Sequence, residues 1–233
     1  MIRAASLAAR TDVVHGFTRA IDPDGQPLDL GAGASVSMWA SVLARLPVAA
    51  SAPAMVSQVH GVNMLEAHMP GLVGEADAVF TARRGLPIAV RTADCVPVLL
   101  AGDDVVAAVH AGWRGAAAGI VPAVVAALRA RGLGAGLQAV IGPAISGERY
   151  EVGPEVVAAF RAAGVPDSAF LRRPTGASKD HVGVKGAVAW QLQEAGVRGV
   201  ETLHHCTFSD PGLHSWRRDG QRSGRLAAVI ARC

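Results

Sequence analysis

Short apolar runs separated by turn-forming residues recur along the first two thirds of the chain. Several of them have the length and the β-branched content of strands. We predict strands in VVHGF, PAMVSQVHG, MLEAH, DAVFTA, PIAVRTA, VPVLLA, VVAAVHA and LQAVIGP. Glycine, proline and aspartate between the runs favour tight links, many of them short enough for hairpins.

Other segments carry apolar residues at helical spacing. We predict helices in SVSMWASVLARL, AAAGIVPAVVAALRARG, GPEVVAAFRAAG and KGAVAWQLQEAGV. The second of these ends at Gly132, a suitable C-cap, and the third has a proline near its start. The C-terminal segment HSWRRDGQRSGRLAAVIA is predicted to form a hairpin whose turn is RDGQ.

The mixture of strands and helices limits the fold class. Several helices exclude an all-β sandwich, and the hairpin links argue against a purely parallel sheet. The class derived from the pattern is therefore mixed α and β. With 233 residues and 51% hydrophobic content, the chain can bury a large core, and we expect a single domain over residues 1–233.

Three potential metal ligands lie where strand-like runs meet polar or glycine-rich turns: His60, Cys95 and His110. Two imidazoles and a thiolate resemble the three protein ligands of a catalytic zinc site, which leaves a fourth position open. If Gly102 and Asp103 form the turn between VPVLL and VVAAV, Cys95 faces His110 directly. Pro97 then favours an edge or bulged position for its strand.

Each of the three ligands also has an ordinary structural explanation. A cysteine among apolar residues is most often a small buried hydrophobic side chain, and a lone histidine is more often hydrogen-bonded than metal-bound. Residue type and spacing alone leave the metal and structural interpretations about equal.

Composition and charge narrow the partners. The formal net charge is only +3 and aromatic residues make up 4% of the chain, which leaves little surface for stacking nucleic-acid bases. We therefore expect no nucleic-acid partner, and the C-terminal arginines suit a small anion such as phosphate at least as well. No apolar run is long enough for a membrane span or a secretory signal, so we expect no membrane partner. Three widely separated cysteines do not make a disulfide framework, and we expect a reduced, cytoplasmic protein.

Other polar residues near the ligands have two possible roles each. Gln58 could bind substrate or make a cross-strand hydrogen bond, and Asp94 could act as a general acid/base or cap a turn. Trp113 and Arg114 lie in a glycine-flanked turn, where the indole could stack on a purine and the guanidinium could meet an anion.

Several motifs occur in order: HGFTR, QVHG, RTADCVPVLL, AAVHAGWRG, IGPAISGERYEVG and CTFSDPGLHSWRRDGQRSGRLAAVI. Together they resemble the multicopper polyphenol oxidoreductase (laccase-like) family, also described as purine nucleoside phosphorylases and adenosine deaminases with a peptidoglycan-editing branch. The resemblance runs from about Pro53 to Ile230. After HGFTR, this chain has AIDPDGQPLDLGAG in place of the family's glycine-rich stretch.

The resemblance implies a fold, a metal and an activity. The fold would be α+β, a four-layer αββα sandwich with mixed sheets. His60, Cys95 and His110 match the family's zinc ligands, and Arg217 and Arg218 match an SxRR-like stretch. The implied activity is phosphorolysis of purine nucleosides with deamination of adenosine. For that activity we expect Asp94 and Cys95 to be catalytic residues and Gln58, Arg114, Arg217 and Arg218 to bind substrate.

Rival functions remain open at this point. Copper-dependent phenol oxidation could use the same two histidines and cysteine, but the chain has only eight histidines and no HxH pattern. A metal-free thiol hydrolase would use Cys95 as nucleophile and His110 as base. A structural zinc module would need a fourth protein ligand. An editing hydrolase acting on a peptidoglycan precursor could use the same activated water.

Overall fold

A computed structural model describes all residues from Met1 to Cys233. The strands are β1 Val13–Phe17, β2 Ala54–Ser57, β3 Met64–Glu66, β4 Gly71–Glu75, β5 Ala78–Thr81, β6 Ile88–Thr92, β7 Val96–Ala101, β8 Val106–Ala111, β9 Gln138–Ile141, β10 Leu171–Arg172, β11 His181–Val182, β12 Gly199–Thr202 and β13 Leu226–Arg232. The α-helices are α1 Ala5–Ala8, α2 Val36–Leu43, α3 Trp113–Ala117, α4 Ile120–Ala130, α5 Pro154–Ala162, α6 Asp167–Phe170, α7 Val184–Glu194 and α8 Trp216–Asp219. Short 3₁₀ turns occupy Gly147–Arg149 and Gly220–Arg222.

Two mixed sheets form the centre of the molecule. The five-stranded sheet has the order β1-β13-β6-β2-β4, and the six-stranded sheet has the order β12-β9-β7-β8-β5-β3. Each sheet combines parallel and antiparallel neighbours, such as β2 parallel to β6 and β7 antiparallel to β8. A separate two-stranded ribbon joins β10 to β11.

Alternating side chains divide the core into layers. On β7, Val98 and Leu100 pack with α4, α5 and α7, whereas Leu99 packs against the facing sheet. On β6 of that facing sheet, Val90 points into the space between the sheets and Ala89 packs with α2. The order helices, six-stranded sheet, five-stranded sheet, helix confirms the predicted four-layer αββα arrangement. No helix has the length and apolar character needed to span a membrane.

The predicted turn between β7 and β8 was wrong by one position. The N–H of Gly102 donates to the carbonyl of Val105, so Asp103 and Asp104 form the tip. Consequently Pro97, not Cys95, lies opposite His110. Moving the turn by one position changes the pairing register of the two strands by two residues. Each side chain therefore stays on its predicted face of the sheet, and Cys95 and His110 become diagonal rather than direct neighbours.

The expected edge position of Pro97 was also wrong, because β7 lies between β8 and β9. The proline is tolerated because it stands at the start of the strand. The β9 ladder begins one residue later, at Val98 opposite Ile141. The Pro97 carbonyl still accepts from the N–H of Gly142 at 2.9 Å, so only the missing N–H bond is lost.

Two further predictions require correction. The C-terminal hairpin is instead the short helix α8 followed by β13, because the Ser215 hydroxyl caps α8 by accepting from the N–H of Arg218. The helix predicted after His110 begins earlier and is interrupted. Trp113 and Arg114 form the first turn of α3 rather than a loop, and Gly119, with a φ of 82°, separates α3 from α4.

Candidate metal centre

Three side chains from separate segments converge beside a cavity. His60 follows β2, Cys95 precedes β7, and His110 lies in β8. The His60 Nε2 atom is 3.9 Å from the Cys95 Sγ atom. The potential ligand atoms of all three residues lie within 4.8 Å of one another. The two imidazole rings meet edge to face, with centroids 4.9 Å apart.

The backbone bends sharply at two points to achieve this convergence. His60 and Asp94 are the only non-glycine residues with positive φ, at 63° and 87°. Such conformations are uncommon for residues with a side chain and cluster at functional sites. Asp94 directly precedes Cys95, whose sulfur lies near the His60 ring.

Asp77, a residue not predicted from the sequence to be functional, supports both histidines. Its carboxylate is fully buried and lies 2.8 Å from the Nδ1 atom of His110. The backbone N–H groups of Val59, His60 and Gly61 donate to the same carboxylate at 3.2, 2.9 and 2.6 Å. The His110 bond leaves the Nε2 atom of that ring available for a metal, which is the arrangement expected around a metal-ligating histidine.

The protonation states of Cys95, His110 and Asp77 depend on one another. Burial raises the pKa of the Cys95 thiol, but hydrogen bonds to His110 and His60 outweigh burial and lower the pKa overall. Burial lowers the pKa of His110, but its hydrogen bonds to Asp77 and Cys95 raise the pKa overall. Burial also raises the pKa of Asp77, and the donors from His110 and Gly61 bring the pKa below its ordinary value. The site therefore favours a thiolate, which is the form that binds metals.

Small residues make room for the ligands. A Cβ atom added at Gly112 would lie 2.7 Å from the His60 ring and 3.2 Å from the Cys95 sulfur. One added at Gly115 would lie 2.8 Å from the carbonyl oxygen of Gly61. The AGWRG segment thus serves the site by letting α3 approach the histidine loop closely, rather than by forming a flexible turn.

The structure places Gln58 and Asp94 in the cavity wall with defined partners. The Gln58 amide donates to the Arg91 carbonyl at 2.7 Å and accepts from the Arg91 N–H at 2.8 Å, which is the cross-strand role. One Asp94 oxygen accepts from the Thr207 hydroxyl at 2.5 Å, and the other accepts from the Arg217 N–H at 2.6 Å. Asp94 therefore also joins the Cys95 turn to the start of α8.

The three predicted substrate-binding arginines differ in availability. Arg114 lies over the Trp113 ring at 4.4 Å, and Arg217 lies over the Tyr150 ring at 4.8 Å while donating to the Glu151 carbonyl. Both line the cavity. Arg218 does not, because its guanidinium pairs with Asp219 at 2.8 Å and donates to backbone carbonyls of residues 207–213. Arg218 orders the loop behind the site.

The cavity has a volume of about 790 Å³. The metal-ligand cluster forms one part of its wall, and residues of the segment that departs from the expected glycine-rich motif, Asp29, Gly31 and Ala32, form another. A second cavity, of about 840 Å³, adjoins it. Trp113, Arg114, Tyr150 and Arg217 line both.

Cys206 lies outside the triad. Its sulfur accepts from the Ser146 N–H at 3.3 Å. The next residue, Thr207, makes the contact with Asp94, so the CTFSD segment supports the site through Thr207 rather than through the thiol.

Fold and site together define a class: αββα sandwich proteins in which two histidines and one cysteine converge beside a cavity. The chain belongs to the family described as multi-copper polyphenol oxidoreductase laccase, whose family model matches residues 34–233.

Relatives and solved structures extend this assignment. The chain is 39% identical over 196 residues to a purine nucleoside phosphorylase of Deinococcus radiodurans, which covers 82% of this chain and 74% of that protein. It is 40% identical over 181 residues to a purine nucleoside phosphorylase of Streptomyces coelicolor, covering 75% and 73% of the two chains. The crystal structure of YlmD from Geobacillus stearothermophilus is similar with a TM-score of 0.86 and 25% identity, over 98% of this chain and 94% of the other.

Proposed function

We propose that this protein is a zinc-dependent purine nucleoside phosphorylase with adenosine deaminase activity, acting on adenosine, inosine and methylthioadenosine. The observation that carries the proposal is the convergence of His60, Cys95 and His110 beside a cavity that also holds Trp113 and several arginines. The names of the relatives from Deinococcus radiodurans and Streptomyces coelicolor support the phosphorylase activity.

The donor set fits zinc. Zinc accepts imidazole nitrogen and thiolate sulfur at 2.0–2.3 Å, so two ligands of one tetrahedral ion lie about 3.5 Å apart. The observed 3.9 Å between His60 and Cys95 needs only a small side-chain adjustment. His60, Cys95 and His110 would hold the ion. The cluster contains three protein ligands, and a catalytic zinc site uses three whereas a structural site usually uses four.

Copper is the less suitable metal. A multicopper oxidase needs several metal sites, and the described chain contains a single group of three or more side chains that could hold a metal. Zinc with one open position would supply Lewis-acid polarisation and water activation at neutral pH.

The chain's own residues have complementary tasks in the two reactions. In deamination, water adds at C6 of adenine and ammonia leaves, and Asp94 in the cavity wall would carry a proton between them. In phosphorolysis, a phosphate oxygen bonds to C1′ of the ribose as the bond from C1′ to the purine breaks. The purine leaves with the electron pair and takes up a proton. Trp113 offers an aromatic face for the purine, and Arg114 and Arg217 offer positive charge to anionic groups.

A cytoplasmic location suits the candidate metal centre. Cys95 must stay reduced to bind metal, and the cytoplasm is a reducing compartment. We propose that the protein acts there on small-molecule nucleosides and phosphate.

Metal analysis combined with product analysis tests the proposal. Wild-type protein, Cys95→Ala and the exposed-thiol control Cys233→Ala would be purified and analysed for zinc and copper, then incubated with adenosine with and without phosphate. We expect one zinc per wild-type and Cys233→Ala chain and much less in Cys95→Ala. We expect inosine without phosphate, and free purine base with ribose 1-phosphate when phosphate is present. Intact adenosine in every wild-type reaction would contradict the proposal, and copper in place of zinc would contradict its metal.

A further inference from the structure

Arg91 carries an unpaired positive charge in the wall of the cavity. It lies in β6, and its backbone is fixed by the Gln58 amide. Its guanidinium has no hydrogen-bond or ion-pair partner anywhere in the described chain, Met1–Cys233, although the residue is partly buried. By contrast, Arg217 and Arg218 donate to backbone carbonyls. A partly desolvated guanidinium without a partner favours an incoming anion.

A second arginine lies on the same face of the sheet. Ala227 of β13 pairs with Arg91, and Arg225 precedes Ala227 by two residues, so Arg225 is a diagonal neighbour of Arg91. Arg225 stacks over Trp216 at 5.2 Å and donates through one terminal nitrogen to the carbonyls of Ser223 and Gly224. Its other terminal nitrogen is free.

The nearby carboxylate does not neutralise the pair. Asp29 accepts from the N–H groups of Gly31 at 2.9 Å and Arg225 at 2.7 Å, and it forms no ion pair with either guanidinium. Two guanidinium groups therefore lie near a single carboxylate that pairs with neither, and a net positive charge faces the cavity. The pKa of Arg91 agrees with this arrangement, because burial and the charge of Arg225 both lower it while Asp29 raises it.

We propose that Arg91 and Arg225 form the subsite that binds the phosphate group used at this centre. That the bound phosphate takes part in a reaction rests on the proposed function. That the two arginines bind a phosphate group does not. This assignment moves phosphate recognition away from Arg218, which is committed to the loop behind the site, to Arg225, another of the C-terminal arginines, together with Arg91, which was not selected from the sequence. Two guanidinium forks match the oxygens of a phosphate group, whether it belongs to inorganic phosphate or to a nucleoside 5′-phosphate.

Binding measurements on the metal-loaded protein test the subsite. Calorimetric titrations with inorganic phosphate and with adenosine 5′-monophosphate would compare wild type, Arg91→Gln, Arg91→Lys and the control Arg198→Gln. Arg198 is exposed and makes no side-chain hydrogen bond or ion pair. We expect Arg91→Gln to weaken binding of the phosphate group at least about tenfold, because a charged hydrogen bond is lost. Arg91→Lys should weaken it less, and Arg198→Gln should match wild type.

The two ligands distinguish the source of the phosphate group. Arg91-dependent binding of inorganic phosphate identifies the co-substrate, and KM for phosphate in phosphorolysis should then rise while KM for the nucleoside stays within about twofold of wild type. Arg91-dependent binding of the nucleotide alone identifies a substrate that carries its own phosphate. Equal affinities of wild type and both Arg91 variants for each ligand would overturn the subsite. That result would include the case in which the phosphate group binds to the metal alone.

The outcomes also separate this inference from the proposed function. Arg91-dependent phosphate binding without any phosphorolysis of adenosine would leave the subsite standing and remove the phosphorylase proposal. Phosphorolysis by wild type with an unchanged KM for phosphate in Arg91→Gln would do the reverse. Melting temperatures would establish that each variant is folded, and Arg91→Lys supplies the comparison if Arg91→Gln does not fold.

Discussion

The Oδ1 atom of Asp77 lies 2.8 Å from the Nδ1 atom of His110 and also accepts the backbone N–H of His60 at 2.9 Å. One buried carboxylate oxygen therefore orients the ring of one histidine and the backbone of the other. His60 has a φ of 63°, and the three N–H bonds to Asp77 compensate for that unfavourable conformation. Asp77 therefore positions the two histidines of the candidate metal centre.

Replacing Asp77 with asparagine should weaken metal binding. The amide nitrogen cannot accept, so either His110 and the His60 N–H, or the N–H groups of Val59 and Gly61, lose a partner. We expect zinc affinity to fall about 10- to 100-fold and the free energy of unfolding to fall by about 1–3 kcal/mol. Competition with a chromophoric chelator measures the affinity. Asp104→Asn is a matched control, since Asp104 also accepts a backbone N–H, from Gly134, but at the β7–β8 turn. Equal zinc affinity in both variants would remove the positioning role.

Gly112→Ala should disturb the ligands with little effect on the backbone. Gly112 has φ −66° and ψ 164°, which alanine adopts without strain. The new methyl group would lie 2.7 Å from the His60 ring, so His60 must move away from Cys95. We expect reduced zinc content after dialysis and a change in melting temperature of only a few degrees. Gly33→Ala, where a Cβ meets no atom within 4 Å, should keep its zinc. Full zinc occupancy in Gly112→Ala would show that the ligands do not depend on this spacing.

The strand pattern predicted the positions of His60, Cys95 and His110 because each lies beside one end of an apolar run, Cys95 before its run and the two histidines at the ends of theirs. The four-layer arrangement followed from the motif resemblance. Asp77 was missed because it stands directly before the run AVFT, where an aspartate is indistinguishable from an ordinary turn residue. Its role depends on contacts 16 to 33 residues away in the sequence.

Errors of local structure arose from similar causes. Gly102-Asp103 and Asp103-Asp104 are comparable turn candidates, and the choice is decided by the Asp104 bond to Gly134 and the Asp103 bond to Ala135. The segment around RDGQ has hairpin composition, but Ser215 and Asp94 cap the N-terminus of α8 and favour the helix. Strand β4 has too few apolar residues to be predicted, and its pairing with β2 determines it.

Asp94 allows a test that separates proton transfer from positioning. Asn tolerates positive φ, so Asp94→Asn should keep the turn at Cys95. If Asp94 carries protons, kcat for deamination should fall about 10²- to 10⁴-fold. Thr207→Val removes one hydrogen bond but keeps the carboxylate, and its kcat should fall less than about tenfold. A raised KM with unchanged kcat in Asp94→Asn would instead assign Asp94 to the placement of Arg217 alone.

His15, in the HGFTR motif, makes the stability of the fold depend on pH. Its side chain is fully buried, its Nε2 atom accepts the Ala4 N–H at 2.9 Å, and its Nδ1 atom has no partner. Burial, reinforced by the charge of Arg3, lowers the pKa of His15 from 6.5 to about 4, although Glu201 opposes the shift. The folded protein therefore holds His15 neutral over a range of pH in which the unfolded chain is protonated.

The sign of the resulting effect follows from proton uptake. Between pH 6.5 and about 4 the unfolded state binds more protons at His15, so the free energy of unfolding should decrease as the pH falls through this interval and level off below it. We expect His15 to account for up to about 2 kcal/mol of that decrease after allowance for solvent screening. Urea denaturation at a series of pH values, compared between wild type and His15→Gln, measures the difference, since Cys95 and His110 are common to both. The exposed-histidine variant His68→Gln should follow the wild-type curve. A His15→Gln curve parallel to wild type would show that His15 is not held neutral in the folded state.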